Sequence, residues 1–221
     1  MKLNNFLFVD EHNPKWIQLF IFVLLVGYGM TTAFFFLWNS LWAGLVLTGW
    51  WFLTGLLYGF FRTNLYYQMK AKMWYIPLVF VLAIIEESLM YWIGGALGGT
   101  ATSLWHTLSI AVPIFAFSGV AILLLYHWMG LDSGDVFLIG AGFGFVVEIV
   151  LSGHHLLLIG GGIGIYAMMF VAPMPRKLEA VKRSPLKRVL VLLFGITLCF
   201  FFGGNNWWYC WRQFVQTYLK M

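Results

Sequence analysis

Charge is what this sequence has least of. Only 10% of its 221 residues are Asp, Glu, Lys or Arg, where a soluble domain carries roughly a quarter. That excludes an ordinary water-soluble globule. Cysteine is nearly missing too. Cys199 and Cys210 form neither a redox pair nor a metal-ligand spacing, which excludes a disulfide framework, and Cys199 reads as a packing residue in an apolar run. There is no HExxH, so the usual zinc-protease helix is excluded, and no P-loop or serine elbow appears. Short alternating segments are lacking, which excludes a β-barrel. No small-residue cleavage site follows a short apolar core near "MKLNNFLFVDEHNPK", so no cleavable signal peptide is expected. Internal repeats and low-complexity tracts are absent.

What fills the chain is apolar: 62% hydrophobic and 20% aromatic. Runs near the roughly 20 residues that a bilayer core requires recur from Trp16 to Phe202. The expectation is an all-α polytopic transmembrane bundle forming one membrane domain over 1–221. Seven spans are predicted, at about 16–37, 41–61, 76–97, 107–128, 136–152, 155–172 and 186–203. The fifth and sixth are short enough to form a tight or re-entrant hairpin instead.

Eleven of the thirteen basic residues fall on one side of such a topology: Lys2, Lys15, Arg62, Lys70, Lys72, Arg176, Lys177, Lys182, Arg183, Lys187 and Arg188. By the positive-inside rule this predicts an inner N-terminus and an outer C-terminus. The net charge of +5 is then topological, which argues against nucleic acid as a partner. The basic loop at 176–188 is expected to meet anionic lipid headgroups. Beyond the last span, Trp207, Trp211, Phe214 and Tyr218 recur at helical spacing, predicting an interfacial amphipathic helix over about 206–220. It anchors the chain or docks a membrane-protein partner.

Ionisable residues inside such spans are costly, which makes them site candidates. Glu86 and Glu87 lie about ten residues into the third span, near the midplane. Neighbours on a helix diverge by about 100°, so one is expected to face the bundle centre and the other to reach a second helix. Glu148 lies deep in the fifth span, with His154 and His155 at the outer turn that follows, and His106 starts the fourth span. Singly, each of these has a plain structural role: a protonated buried carboxyl, a capping histidine. Together they suit three chemistries. A glutamate could activate water against a carbonyl; Glu148, His154 and His155 could ligate a divalent metal such as zinc; or the set could relay protons or bind a cation in a transporter. Periodicity does not choose among them. Gly140, Gly142 and Gly144 read as close-packing positions, and "GGGIG" at 160–164 as close packing or an unwound segment.

"IIEESLMYWIGG" resembles the first motif of the PrsW-type and CAAX-protease-type intramembrane proteases, a Glu-Glu pair in a membrane helix. "GAGFGFVVEIVLSG" is similar to the second PrsW motif and "HHLLLIGGGIG" to the third, in the same order along the chain. The resemblance covers about residues 80–170. It implies a catalytic set of Glu86, Glu87, Glu148 and His154, hydrolysis of a membrane-anchored peptide, a metal, and residence in a prokaryotic cytoplasmic membrane. The chain departs from the pattern at Met90, Tyr91 and Trp92, where the family has a basic residue, and at Ile149, where it has asparagine. Two function classes therefore stand beside each other. The first is an intramembrane hydrolase. The second is a non-catalytic membrane subunit whose many aromatics contact lipid, pigment or partner helices. A small transporter is a third, disfavoured because no pair of broken helices is evident.

Overall fold

The computed structural model describes residues 3–10, 12–96, 103–147, 156–175 and 183–203. Among them every regular element is helical. The long helices are α1 (Lys15–Phe34), α2 (Leu41–Thr63), α3 (Leu65–Ala96), α4 (Leu104–Met129) and α7 (Pro185–Gly203), with α5 (Ser133–Phe145) and α6 (Leu156–Val171) shorter. A π-helical turn, Phe35–Asn39, prolongs α1. Five segments are long and apolar enough to cross a membrane: Lys15–Trp38, Leu41–Thr63, Leu65–Ile93, Leu104–Met129 and Pro185–Phe202. The chain is thus built as an integral membrane protein would be, with large apolar side chains such as Leu19, Phe22, Val26 and Met30 turned outward.

The third span departs most from expectation. It was predicted to begin at 76, after a charged loop, yet α3 starts at Leu65 and runs 32 residues. Local chemistry explains this. Asn64 leaves the helical region at the end of α2 (φ −80, ψ 108), and its Oδ1 accepts from Tyr67 N at 2.8 Å, capping the new helix. Nothing from 65 to 75 breaks a helix, so Lys70 and Lys72 ride on α3 rather than in a loop. At 1.5 Å per residue α3 is about 48 Å long, well beyond a bilayer core of about 30 Å.

α5 begins at Ser133, a turn before the expected 136, because Asp132 and Asp135 form a reciprocal capping box. Gly130, left-handed at φ 70, ends α4 just before it. α7 starts at Pro185, within a residue of the expected 186, with Lys187 and Arg188 in its first turns. The segments 148–155 and 206–220, including the expected interfacial helix, lie outside the described residues.

α5 and α6 pack together at the centre, and α1, α2, α3, α4 and α7 surround them. Their approach needs a missing side chain: a Cβ on Gly140 would stand 2.9 Å from Ala167 Cα. Likewise a Cβ on Gly142 would meet Ile196 Cγ1 of α7 at 2.7 Å. These glycines serve packing, as expected. α6 is continuous through 160–164, so the unwound alternative does not hold there. Between α1 and α7 the ring parts, leaving an apolar cavity of about 420 Å³ over α5.

The starts of α1, α3, α5 and α7 share one end of the bundle with the ends of α2, α4 and α6. Tyr75 on α3 donates to the Phe170 carbonyl on α6 at 3.0 Å, and the ion pairs described below join the rest. We call this the basic end. From it the N-terminal strap, residues 3–10 and 12–14, dips into the bundle along α2. Asn5 and Phe6 lie over Gly59 and Gly55, and the Phe6 carbonyl accepts from Trp51 Nε1 at 2.9 Å. Phe8 takes a left-handed φ of 50, unusual for a bulky residue. Its fully buried ring packs on Tyr58 and Phe137 at 5.4 and 5.8 Å.

Candidate functional site

Glu86 and Glu87 are both buried, with 2% and 9% of their surface exposed. The sequence explains how α3 turns them inward. Its buried stripe runs Tyr75, Val79, Leu82, Ala83, Glu86, the three- and four-residue steps of one helix face. Glu87 continues the same face by the four-residue row 79, 83, 87. A stripe spanning 100° or more holds both side chains, and both lie on the buried side of α3. From Trp74 to Glu86 is about 18 Å along the helix, and from Glu86 to Ala96 about 15 Å.

Glu86 is within electrostatic reach of Tyr28 on α1. Tyr28 is fully buried and held on three sides. Its hydroxyl donates to the Leu47 carbonyl at 2.7 Å, its ring meets Trp51 edge-on at 5.7 Å, and its Cγ sits where a Cβ on Gly164 would come to 3.1 Å. The third glycine-rich motif thus supplies the bed for the Tyr28 ring. Ser88 is turned back on α3, donating to the Ile84 carbonyl at 2.7 Å.

Of the other candidates, Glu148, His154 and His155 lie outside the described residues. His106 is half-buried in the first turn of α4, where its backbone N–H donates to the Ser103 cap at 3.1 Å. Among the described residues no three His, Cys, Asp or Glu side chains gather where a metal could be held. Cys199 is buried and packs against α4, with Ser118 donating to its carbonyl at 3.3 Å.

Sequence reasoning missed the largest polar assembly, at the basic end. Asp10 of the strap pairs with Arg62 at the end of α2 and accepts from Ser133 Oγ at 3.1 Å. Asp132 pairs with Arg188 at 2.9 Å, and Asp135 with Arg183 at 2.8 Å and Arg188 at 3.5 Å. Arg183 also donates to the Met129 carbonyl, and Arg62 lies 4.7 Å over the Tyr58 ring. The Asn13 amide, oriented to donate to Asp132 Oδ1 and accept from Asp10 N, each at 3.1 Å, links the two halves. Burial, then the neighbouring Asp132 carboxylate, push the Asp135 acid above its ordinary range, against the pull of Arg188 and Arg183. Arg183 and Arg188 were expected to face lipid headgroups. Both side chains are instead buried against carboxylates. Three arginines and three aspartates balance, so the assembly is neutral and ties four chain segments together.

Comparison with protein-family profiles, curated proteins and solved structures gives no match for this chain.

Proposed function

We propose that the chain is an intramembrane hydrolase. Its Glu86–Glu87 pair serves as the general base and acid on a membrane-embedded peptide or lipid-like substrate, with Glu148 and His154 completing the site. The observation that carries this reading is the burial of both glutamates on the inner face of a membrane-length helix. Intramembrane carboxyls are expensive and favour functional explanation, and a positioned carboxyl is a group that general acid–base work uses. Tyr28 supplies a hydroxyl-bearing neighbour anchored from two other helices. If a metal takes part, Glu148, His154 and His155 are the residues to hold it. The N-terminus is read as inside from the charge asymmetry of the sequence, and residence in a prokaryotic cytoplasmic membrane from the resemblance to the intramembrane proteases.

The alternative, a non-catalytic membrane subunit, is favoured by one observation: the polar effort of the described bundle is concentrated in the balanced Arg–Asp assembly, which braces helices. The test is cleavage of a fluorogenic single-span peptide in proteoliposomes. Glu86→Gln and Glu87→Gln should each lower the rate by about 10²-fold or more, the worth of a positioned acid or base, with the unfolding midpoint unchanged. Cleavage by either variant at the wild-type rate defeats that residue's role. Absence of cleavage by the wild type, with both variants less stable, establishes the subunit reading.

A further inference from the structure

The Arg–Asp assembly has a counterpart in the lysines it leaves over. Asp10, Asp132 and Asp135 are consumed by Arg62, Arg183 and Arg188. Among the described residues, neither Lys70 nor Lys72 has a carboxylate partner. Both stand on the first turns of α3 and line a cavity of about 380 Å³. Its other walls are Leu123 and Tyr126 near the end of α4, and Pro175 after α6. The Lys72 ammonium lies 3.3 Å from Nδ1 of His127. An ammonium can only donate, so Nδ1 would be the accepting atom of this contact. That bond holds the Lys72 head at the mouth of the cavity, toward α4.

The surroundings set the level of this cavity. Tyr66 and Trp74 on α3 and Trp128 on α4, close in sequence to its lining residues, are exposed, and exposed Trp and Tyr on a membrane protein mark the headgroup region. Two ammoniums with no carboxylate partner among the described residues, a hydrogen-bonding imidazole and an apolar wall therefore meet at the headgroup level, between two spans. Basic pockets between helices at that level suit anionic lipid headgroups.

We infer that the cavity bounded by Lys70, Lys72 and the α4 end binds the phosphate of an anionic phospholipid. The lysines take the phosphodiester, and the lipid's glycerol and upper acyl carbons lie against Leu123 and the exposed methionines Met69 and Met73. Free phosphate carries the same charge, but it gains nothing from the apolar wall and keeps its water. Arg183 and Arg188, expected at the headgroups, are turned inward and do not line this cavity, and the proposal does not rest on the hydrolase reading.

The full chain in dodecylmaltoside micelles tests it, by thermal unfolding with added phosphatidylglycerol, phosphatidylcholine or inorganic phosphate. Phosphatidylglycerol should raise the midpoint and the other two should not. Lys70→Gln and Lys72→Gln should each raise the half-saturating phosphatidylglycerol fraction about fivefold, the worth of one basic residue at an anionic surface. Both lysines are exposed, so the lipid-free midpoints should stay at the wild-type value. Lys187→Gln, an exposed lysine on α7, should respond like wild type. Equal stabilisation by phosphatidylcholine, or by inorganic phosphate, overturns the proposal. So does an equal loss in Lys187→Gln, which would reduce the effect to diffuse surface charge.

Discussion

Asp132→Ala strikes the basic end at its most connected point. Asp132 does two jobs: Oδ1 accepts from Asp135 N at 2.9 Å, capping α5, and Oδ2 accepts from Arg188 at 2.9 Å. Loss of the cap costs about 1 kcal/mol. Removing one partner of a buried ion pair costs about 3–5 kcal/mol, because a charge is left without compensation. Arg188 is only 3% exposed, so water does not replace the carboxylate. Asp135, at 3.5 Å from Arg188 Nη1, retains part of the attraction and places the pair loss near the lower bound. The single variant should therefore lose about 4 kcal/mol, cap included. In Asp132→Ala/Arg188→Met the stranded charge is gone and its volume is filled by an apolar side chain. Asp135 keeps Arg183 at 2.8 Å, so the double variant should lose only about 1–2 kcal/mol. Reversible unfolding in mixed micelles of dodecylmaltoside and dodecyl sulfate measures all three. A loss under about 1 kcal/mol in the single variant would refute the reasoning. So would a double variant as unstable as the sum of its parts.

Other outcomes follow from the same contacts. Gly164→Val should destabilise by about 1–3 kcal/mol, read in the same micelle titration, because Tyr28 is tethered to Leu47 and cannot swing away. Trp51→Phe removes the donor to the Phe6 carbonyl; about 1 kcal/mol of local stability should go, seen as faster hydrogen exchange in residues 3–9 with slower change elsewhere. The raised pKa of Asp135 means that the folded state holds its proton more tightly than the unfolded chain. Its contribution is thus present below the ordinary value of 3.8 and is lost as pH rises through the folded value. The difference in unfolding midpoint between wild type and Asp135→Asn should grow across that window as pH rises, with Asn gaining relative to Asp; an unchanging difference contradicts the shift.

The parts of this fold written in local pattern were legible. Apolar run length identifies the five long helices, and the three- and four-residue steps ending at Glu86 show its inward face before any coordinates. Asp132 and Asp135 sit at capping-box spacing, yet charge drew attention first to side of membrane, and the start of α5 was placed a turn late. The onset of α3 was missed for a related reason. Gln68, Lys70 and Lys72 dilute hydropathy without breaking a helix, so a hydropathy window ends where the helix does not. The Arg–Asp assembly had no local signal at all. Its partners are separated by 48 to 123 residues in sequence, and only the packing of α7 beside the α4–α5 turn brings them together. The strap along α2 was equally hidden, since nothing local in the sequence marks Gly55 and Gly59 as the positions that receive Phe6 and Asn5.

The claim at the centre of this account is that Glu86 and Glu87 belong to one site with Glu148 and His154. The direct measurement is their separation in crystals grown from a lipidic mesophase. The account predicts a carboxyl of Glu86 or Glu87 within about 5 Å of both the Glu148 carboxyl and the His154 ring, around a wet pocket or a bound metal, as a working site requires. Glu148 and His154 turned toward lipid, or toward helices that do not face α3, would contradict it.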